Sequence, residues 1–434
     1  MEQLNSLSPL DGRYCETTEC LRKYFSESAL IKYRTNLEML YLMHLLDFLE
    51  IPNSEFGFFE ISKEDILRIK EIEKEVKHDV KAVELFLREK INNKTILEFI
   101  HFGLTSQDVN SSSYVLSMKE ANQEIIIPNL EKMIDMIHQK SKDWLQISML
   151  SRTHGQPASP TTLGKELMVF VERMRKQFVQ LKDFKYSTKF GGAVGNFNSH
   201  YISYPGKDWI KFGNDLMKSV GLERNHFTTQ IDNYDNYSEM FDILKRLSVV
   251  MIDFCRDIWL YVSQDYFTQL NLSGEVGSSA MPHKINPINF ENAEGNLMLC
   301  VSLLEFMSRK LPISRLQRDL TDSTVLRNIG TCYGYFLIGI ESIMSGLKRI
   351  DVNQKKIKRD LENNKIVLAE AIQSILRKEG VENSYLLIKE MTRGGKDLDV
   401  EEMVVILEER GIEISEAGKS QIYNLDVHSY TGRF

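Results

Sequence analysis

The sequence predicts an all-α protein built on a bundle of long helices. Only nine prolines occur among 434 residues, and none falls between Pro205 and Pro282 or after Pro312, so helices could run there without interruption. Apolar residues recur every three or four positions in several stretches, which is the period of one helix face. Alternation of apolar and polar residues, the pattern of a half-buried strand, is scarce.

Three stretches carry the helical period most clearly. Each has an apolar stripe long enough to bury one face along several neighbouring helices. The stripes are Met118, Ile125, Leu130, Met133, Ile134 and Ile137; Leu163, Leu167, Val171, Met174, Phe178 and Leu181; and Met240, Ile243, Leu244, Leu247, Met251 and Phe254. The glycine-rich segment 191–196 lacks the G-x-x-x-x-G-K pattern and a preceding strand, which favours a turn between helices over a phosphate loop.

The length of the chain bears on its domain organisation. A chain of 434 residues is too long for one compact core unless elongated helices share a layer. We predict three helical domains: residues 1–95, a central long-helix bundle over residues 96–347, and residues 348–434. The first boundary lies where residues 95–102 close an N-terminal helical region, and the second where the polar, lysine-rich run 349–358 opens a C-terminal one.

Charge and cysteine usage argue against some classes of function. The chain has 54 Lys and Arg against 61 Asp and Glu, a formal net charge of −7. Nucleic acid is therefore not expected as a partner, because dedicated binders carry a basic excess. No signal-peptide pattern and no run of roughly 20 apolar residues is seen, so we expect a soluble, cytoplasmic protein without a membrane partner. The five scattered cysteines form no C-x-x-C pair and are expected to be reduced.

The densest polar chemistry lies between Gly277 and Pro287, in the sequence GSSAMPHKINP. Flanking glycines and two prolines shape this stretch, and a surface loop of similar composition is the alternative. The order of its residues resembles the motif G-S-S-x-M-P-x-K-x-N-P of the fumarase and aspartase superfamily. The resemblance implies that Ser278 is the base that removes a proton next to a carboxylate, while Lys284 and Asn286 help to stabilise the dianionic intermediate and bind substrate.

Residues 151–158, SRTHGQPA, match the segment that carries the general acid in the same superfamily. A single histidine is more often a structural residue, but the resemblance implies that His154 protonates the leaving nitrogen. The superfamily pairs this histidine with a glutamate thirteen residues after the base, which corresponds to Glu291. An ordinary helix carboxylate is the alternative for Glu291.

Further segments resemble the bacterial type of the adenylosuccinate lyase family, so that the resemblance covers nearly the whole chain. The segments are residues 8–14, 77–84, 99–108, 228–230 and 315–327. They imply a purine nucleotide substrate held through a succinyl group and a 5'-phosphate. The residues implied to hold it are Arg13, Tyr14, Lys77, His78, Asp79, Thr105, Ser106, Gln230, Asn292, Arg318, Ser323 and Arg327. Each arginine taken alone could be a solvated helix charge.

The same resemblance implies the reaction and the assembly. The family eliminates fumarate from adenylosuccinate and from the succinylated aminoimidazole carboxamide ribotide (SAICAR), both by β-elimination without a cofactor. It also implies a homotetramer whose core is made of the bundled helices and whose active sites each draw on three subunits.

Two other functions are compatible with parts of the sequence. A sister lyase acting on argininosuccinate, aspartate or malate would share the loop, although its substrates carry no phosphate. A non-catalytic helical module would share the fold alone, and the combination of Ser278, His154, Lys284 and Glu291 argues against it. A metal site at His78, Asp79 and His101 is not predicted, because no H-x-x-x-H or H-E-x-x-H spacing supports it.

Overall fold

The structure is a computed structural model that describes residues 3–52, 57–270, 281, 283–393 and 398–433. It is 65% helical with few, short strands, which confirms the all-α prediction. Within these ranges no helix is both long and apolar enough to cross a membrane.

The N-terminal helices are α1 (Cys15–Thr18), α2 (Arg22–Phe25), α3 (Glu27–Phe48), α4 (Lys63–Val76), α5 (Asp79–Lys90) and α6 (Lys94–Leu97), with 3₁₀ turns at Gln3–Asn5 and Glu19–Leu21. Polar caps fix where two of them begin. The Ser26 side chain accepts from the Ala29 amide at the start of α3, and Ser62 forms a capping box with Asp65 at the start of α4. These contacts satisfy amides that have no partner inside the helix.

The central helices are α7 (Ser106–Ala121), α8 (Ile127–Asp143), α9 (Leu163–Lys182), α10 (Asn198–Ser203), α11 (Trp209–Ser219), α12 (Asp235–Ser263), α13 (Ile288–Lys310), α14 (Thr321–Leu326) and α15 (Ile329–Leu347). A π-helical turn, Asn122–Ile126, joins α7 to α8. Pro128 has no amide hydrogen, and this wider turn just before it lets the helical run continue.

The C-terminal helices are α16 (Gln354–Glu362), α17 (Ala369–Lys378), α18 (Ser384–Thr392), α19 (Val400–Glu409) and α20 (Glu416–Tyr423), with a 3₁₀ turn at Lys365–Leu368.

The three predicted apolar stripes lie on helices and point inward. Every residue of the stripes on α9 and α12 is at most 8% exposed. On the run from α7 to α8 the stripe is also buried, except for Ile125, which is half-buried. The helical period therefore identified the buried faces correctly.

Short two-stranded ladders interrupt the helices. The strand β1 (Ser148–Thr153) pairs antiparallel with β2 (Gln156–Thr162). The strand β3 (Ser187–Thr188) pairs parallel with β4 (Glu223–Arg224), and β5 (Phe267–Gln269) pairs antiparallel with β6 (Ile350–Val352). The sequence did not predict these ladders, because runs this short carry little periodicity.

The β1–β2 hairpin connects α8 to α9 and contains a bulge. Its register shifts so that Ser159 and Pro160 together lie opposite Leu150. A bulge tolerates proline, which cannot donate to the ladder. At the base of the hairpin Gly164 packs so closely that a Cβ would lie 2.5 Å from the Cα of Leu145. Glycine is therefore needed where α9 leaves the hairpin.

The chain forms two compact units, each assembled from three segments. Unit 1 comprises Met1–Lys132, Lys176–Ile252 and Asn292–Ser342, and unit 2 comprises Met133–Arg175, Asp253–Glu291 and Ile343–Phe434. Within unit 1 an apolar cluster gathers buried residues of α3, α4 and α5. Within unit 2 another gathers residues of α16 to α20 together with Leu150 of β1. The domain boundaries at residues 95 and 347 stay predictions.

Candidate active site

His154 lies at the tip of the β1–β2 hairpin in unit 2. It forms a two-residue loop with Gly155, and the φ angles of the two residues are 53° and 75°. Loops with two positive φ angles match the twist of the flanking strands, but the left-handed region is unfavourable for a histidine. The side chain is exposed. The ladder thus presents an imidazole at its end, held in a strained backbone conformation.

The predicted signature loop is described only in part. Ser278 lies outside the described residues. Lys284 is exposed and Asn286 half-buried just before α13, and Gln269 of β5 donates to the carbonyl of Ile285 at 2.9 Å. This contact ties the end of the loop to the β5–β6 ladder.

Glu291 lies in the first turn of α13, where a negative charge favours the positive end of the helix dipole. Its Oε1 accepts a hydrogen bond from the indole of Trp259 at 3.0 Å. Within the described part of the single chain no hydrogen bond or ion pair joins Glu291 to His154, so their predicted pairing stays a prediction.

Lys77, His78 and Asp79 form a sharp corner between α4 and α5 in unit 1. Lys77 ends α4 with φ 57°, and His78 caps α5 by accepting from the Lys81 amide through Nδ1 at 3.1 Å. Because Nδ1 accepts, we assign the neutral tautomer with hydrogen on Nε2. That nitrogen lies 3.3 Å from the hydroxyl of Ser106, so the corner brings His78 and Ser106 together as predicted residues of one site.

Asp79 lies between two arginines. Its Oδ2 accepts from Arg34 at 2.7 Å and from Arg327 at 3.2 Å. Burial raises the pKa of this carboxyl, but the two guanidinium groups and the Val80 amide outweigh it, so the pKa lies below its ordinary value. Arg327 also approaches Glu27 at 3.5 Å, so its charge is compensated by acidic side chains within the protomer.

Thr105 and Ser106 stand at the beginning of α7, where amides point outward. The start of this helix is fixed by Asp108, whose Oδ2 accepts from the Thr105 amide at 2.8 Å. The chain just before it is anchored to α3, since Tyr41 donates to the carbonyl of Phe102 at 2.5 Å. The predicted carboxylate-binding residues therefore rest on a rigid backbone.

His101 reinforces the same anchor by contacting Glu38, whose side chain is fully buried. The distance between His101 Nδ1 and Glu38 Oε1 is 2.5 Å. Burial lowers the pKa of His101, but the attraction of the Glu38 carboxylate and their hydrogen bond outweigh it, so the pKa lies above its ordinary value. The sequence alone suggests no role for His101 except as a metal ligand, which its spacing does not support. No group of metal-ligating side chains is found among the residues the structure describes.

Asp108 and Lys189 form an ion pair with 2.6 Å between Nζ and Oδ1, and both side chains are 0% exposed. The same carboxylate accepts from the amides of Gly191 and Gly192 at 2.7 and 3.1 Å. Lys189 also donates to the carbonyl of Gly192 at 2.7 Å. Segment 191–196 is therefore a turn, as the sequence predicted, and these two of its amides bind a carboxylate of the protein itself.

Arg318 lies at the centre of a second group of predicted residues, together with Gln230 and Ser323. Its guanidinium donates to Gln230 at 3.2 Å and to Ser323 at 3.3 Å, while its Nε is buried without a partner. Both acceptors are neutral. In contrast to Arg327, this half-buried cation has no carboxylate contact within the described residues.

Tyr234 connects the two segments that carry this group. It is buried with φ 60°, its hydroxyl donates to Asp322 at 2.7 Å and its amide to Asp232 at 2.8 Å. Burial raises the pKa of Asp232 to about 6. The strained tyrosine thus holds the Gln230 segment next to α14.

Tyr14 and Asn292 form a further pair, with 2.8 Å between the tyrosine hydroxyl and the amide oxygen. Asn292 is held by donating to Ser342 at 2.8 Å. Arg13 and Lys77 are exposed. Within unit 1 the predicted residues therefore form three sets, which are centred on Asp79, Arg318 and Asn292. The other predicted residues that the structure describes belong to unit 2: His154, Lys284, Asn286 and Glu291.

Several residues that organise these sets were not named from the sequence. They are Arg34, Asp108, Lys189, Tyr234 and Asp322. Their roles depend on contacts distant in sequence, which no local pattern reveals. Only Asp108 left a signal, since T-x-x-D before a helix is a capping pattern.

Residues 58–301 match the family described as Lyase, and residues 314–431 match the family described as Adenylosuccinate lyase C-terminal. The chain is 44% identical to adenylosuccinate lyase of Dictyostelium discoideum, covering 100% of this chain and 97% of that protein. It is 42% identical to adenylosuccinate lyase of Escherichia coli K12, covering 100% and 98%.

Solved structures of lower sequence identity share the fold. A fumarate lyase from Mesorhizobium matches with a TM-score of 0.76 at 15% identity, covering 95% of each chain. The 3-carboxy-cis,cis-muconate lactonizing enzyme of Pseudomonas putida matches with a TM-score of 0.72 at 18% identity, covering 95% of this chain and 94% of that one.

The buried ion pair leads to a prediction on stability. Lys189→Met removes the ammonium but keeps an unbranched side chain, leaving Asp108 as a buried charge without its cation. The free energy of unfolding should fall by about 3–5 kcal/mol, measured by denaturant unfolding. Lys185→Met, at an exposed position, should change it by less than about 0.5 kcal/mol.

A double variant distinguishes two contributions to this loss of stability: the lost attraction between Asp108 and Lys189, and the cost of leaving the Asp108 charge buried without a partner. Asp108→Asn combined with Lys189→Met should recover part of the loss, because no buried charge is left without a partner. Equal stability of Lys189→Met and Lys185→Met would contradict this account of the ion pair.

Proposed function

Because the chain belongs to the adenylosuccinate lyase family, within the fumarase and aspartase superfamily, and is therefore a lyase, we propose that it releases fumarate from adenylosuccinate, leaving AMP, and from SAICAR, leaving the free carboxamide ribotide. Both are β-eliminations that break a C–N bond and need no cofactor. The substrates share a succinylamino group and a ribose 5'-phosphate, so one site serves both. The protein would act in cytoplasmic purine nucleotide biosynthesis.

Two proton transfers define the proposed mechanism. Ser278 takes the proton from the carbon next to a succinyl carboxylate, the C–N bond breaks, and His154 gives a proton to the departing nitrogen. A proton next to a carboxylate is weakly acidic, so the dianionic intermediate needs fixed cations and donors in a water-poor site. Lys284 and Asn286, which follow the base in the same predicted loop, would supply that stabilisation.

The position of His154 supports its assignment as the acid. An exposed imidazole at the end of a hydrogen-bonded ladder can enter a site while its backbone stays fixed, and strained φ angles cluster at functional positions. Glu291 keeps Oε2 for a further donor beside its contact with Trp259. We propose that it pairs with the His154 of another subunit and thereby orients the imidazole.

The single observation that most favours a phosphorylated substrate is the environment of Arg318. Its guanidinium is held in place by two neutral oxygens, so its positive charge is oriented but not compensated by them. A planar fork of donors fits a phosphate oxygen pair. Ser323 adds a short neutral donor, and Gln230 would orient the substrate near the scissile bond.

The remaining unit 1 residues suit the rest of the substrate. Thr105 and Ser106 would bind a succinyl carboxylate at the start of α7, where helix amides favour an anion. His78 would join them through its contact with Ser106. Arg327, already paired with acidic side chains, would contribute to phosphate binding by exchanging one of those contacts. Arg13, Tyr14, Lys77, Asp79 and Asn292 would complete the nucleotide contacts.

We propose that the enzyme is a homotetramer with active sites shared between subunits. Apolar side chains are exposed along three long helices: Val169 and Val179 on α9, Val249, Trp259 and Leu260 on α12, and Met298, Leu299 and Phe306 on α13. Leu299 and Phe306 are two turns apart and so share one face of α13. Exposed apolar faces of this length favour association with other subunits.

The activity is tested by adding adenylosuccinate and following the change in purine absorbance. AMP and fumarate should form without added metal or cofactor. SAICAR should react as well. Activity on argininosuccinate with none on adenylosuccinate would assign the chain to a sister reaction and overturn this proposal.

The base is tested by Ser278→Ala. Turnover should fall by about 10²–10⁴-fold, the usual contribution of a general base, while substrate binding changes little. Ser279→Ala, the neighbouring residue, should cost less. Near-normal turnover of Ser278→Ala would exclude this serine as the base.

The assembly is tested by Leu299→Asp, which places a charge on an apolar side chain that is 51% exposed in the protomer. Sedimentation velocity should show smaller species, and activity should fall with them because the sites are shared. Val405→Asp on α19, at 50% exposure, is the matched control and should stay tetrameric. An active wild-type monomer would contradict the proposal.

A further inference from the structure

The outer part of the β1–β2 hairpin is held at its bulge and, beyond the bulge, through the electrostatic contact between Arg152 and Tyr266. Beyond the bulge the strands pair at three positions, the last being Thr153 with Gln156. Residues 152–157, with His154 at their centre, are all exposed. The direction of the tip is therefore set where the strands bend, because bulges re-aim the residues beyond them.

One side of the bulge is fixed by apolar packing. Leu150 is 2% exposed and belongs to the apolar cluster formed by the C-terminal helices. The opposite residue, Ser159, turns towards the same helices, and its hydroxyl donates to the carboxylate of Glu370 on α17. The two strands are thus held from the same region of unit 2.

The segment after α20 completes this support. Residues 426–430 form a turn in which the Tyr430 amide donates to the carbonyl of Asp426 at 2.9 Å. The hydroxyl of Tyr430 donates to Glu370 Oε2 at 3.0 Å, the same oxygen that Ser159 contacts. Burial and the Glu370 carboxylate raise the pKa of Tyr430 to about 12, so the hydroxyl remains a donor at neutral pH.

A second contact reaches the other strand. Nδ1 of His428 lies 3.2 Å from the hydroxyl of Ser148 at the start of β1. Its Nε2 lies 3.5 Å from Glu362 on α16. The turn 426–430 therefore contacts β1 directly and β2 through Glu370.

From these contacts we propose that the turn 426–430, through Tyr430 and Glu370, is a positioning element that fixes the orientation of His154 for proton transfer. The proposal rests on the proposed function of His154 as general acid. Glu370 and Tyr430 do not themselves touch the reacting atoms; they act through Ser159 and the bulge.

Geometry makes the tip sensitive to this support. His154 is four residues beyond Leu150 along β1, about 13 Å at the rise of a strand. A rotation of about 4° at the bulge therefore moves the backbone of His154 by about 1 Å, and a misplacement of that size can cost about 100-fold in rate. Loss of one hydrogen bond at Glu370 can thus affect catalysis far more than folding.

The test uses Tyr430→Phe and Ser159→Ala, each of which removes one donor to Glu370. We expect kcat for adenylosuccinate to fall about 10- to 100-fold, with KM within about two-fold because substrate binding is intact. Ser159→Thr, which keeps the hydroxyl, should restore most of the rate. Tyr423→Phe, at the 48% exposed end of α20, is the matched control and should behave like wild type.

Combination with His154→Gln separates positioning from general damage. If Tyr430 acts through His154, then Tyr430→Phe should cause no further loss in the His154→Gln background. A further loss of the same size there, or a wild-type kcat for Tyr430→Phe, would overturn the inference while leaving the proposed function intact. A wild-type kcat for His154→Gln itself would instead overturn the role of His154, and the positioning element with it.

Discussion

The organisation of unit 1 depends on the ion pair between Asp108 and Lys189. Neither group can reach solvent, and a buried charge is tolerated only when it is paired and hydrogen-bonded. The pair meets this condition by drawing the start of α7 and the glycine turn 191–196 onto one carboxylate. Lys189 extends the network, since its backbone amide supports Asp232, which in turn holds Tyr234. Segments far apart in sequence are therefore fixed relative to one another by a single buried charge.

Arg327 and Arg318 were both predicted to bind the nucleotide, but they differ in whether acidic side chains compensate their charge. Arg327 lies against Asp79 and Glu27, so it already helps to stabilise the fold. Arg318 is oriented by neutral groups. Burial is the main reason that the pKa of Lys189 lies below its ordinary value, and the charge of Arg318 adds a smaller effect in the same direction. Lys189 is already paired with Asp108, so of these cations Arg318 is the one without a carboxylate contact among the described residues. Arg318 is therefore the better candidate for the proposed contact with a phosphate.

The fold was predictable where it follows from periodicity. The stripes on α7–α8, α9 and α12 required only apolar residues at helical spacing, and every residue of them except the half-buried Ile125 is buried. The β1–β2 hairpin was missed, because its strands are short and its one clear signal is the pair His154–Gly155, which suits a primed turn. Candidate site residues that lie in long motifs, such as Ser278 and His154, could be predicted from the sequence. Asp108, Lys189 and Tyr234 could not, since a buried polar side chain has meaning only through partners that the fold brings to it.

The hairpin also explains why an essentially helical protein uses a β-element at this point. Isolated helical turns are unstable, because nucleation fixes several residues for one hydrogen bond. A two-stranded ladder satisfies its backbone groups across the pair, so it can extend beyond its supports and still hold a strained residue at its tip. A consequence is that the orientation of the tip depends on the bulge, where Leu150 and Ser159 contact the C-terminal helices. Under the proposed positioning role, the orientation of His154 depends on packing about 13 Å away as well as on the tip itself.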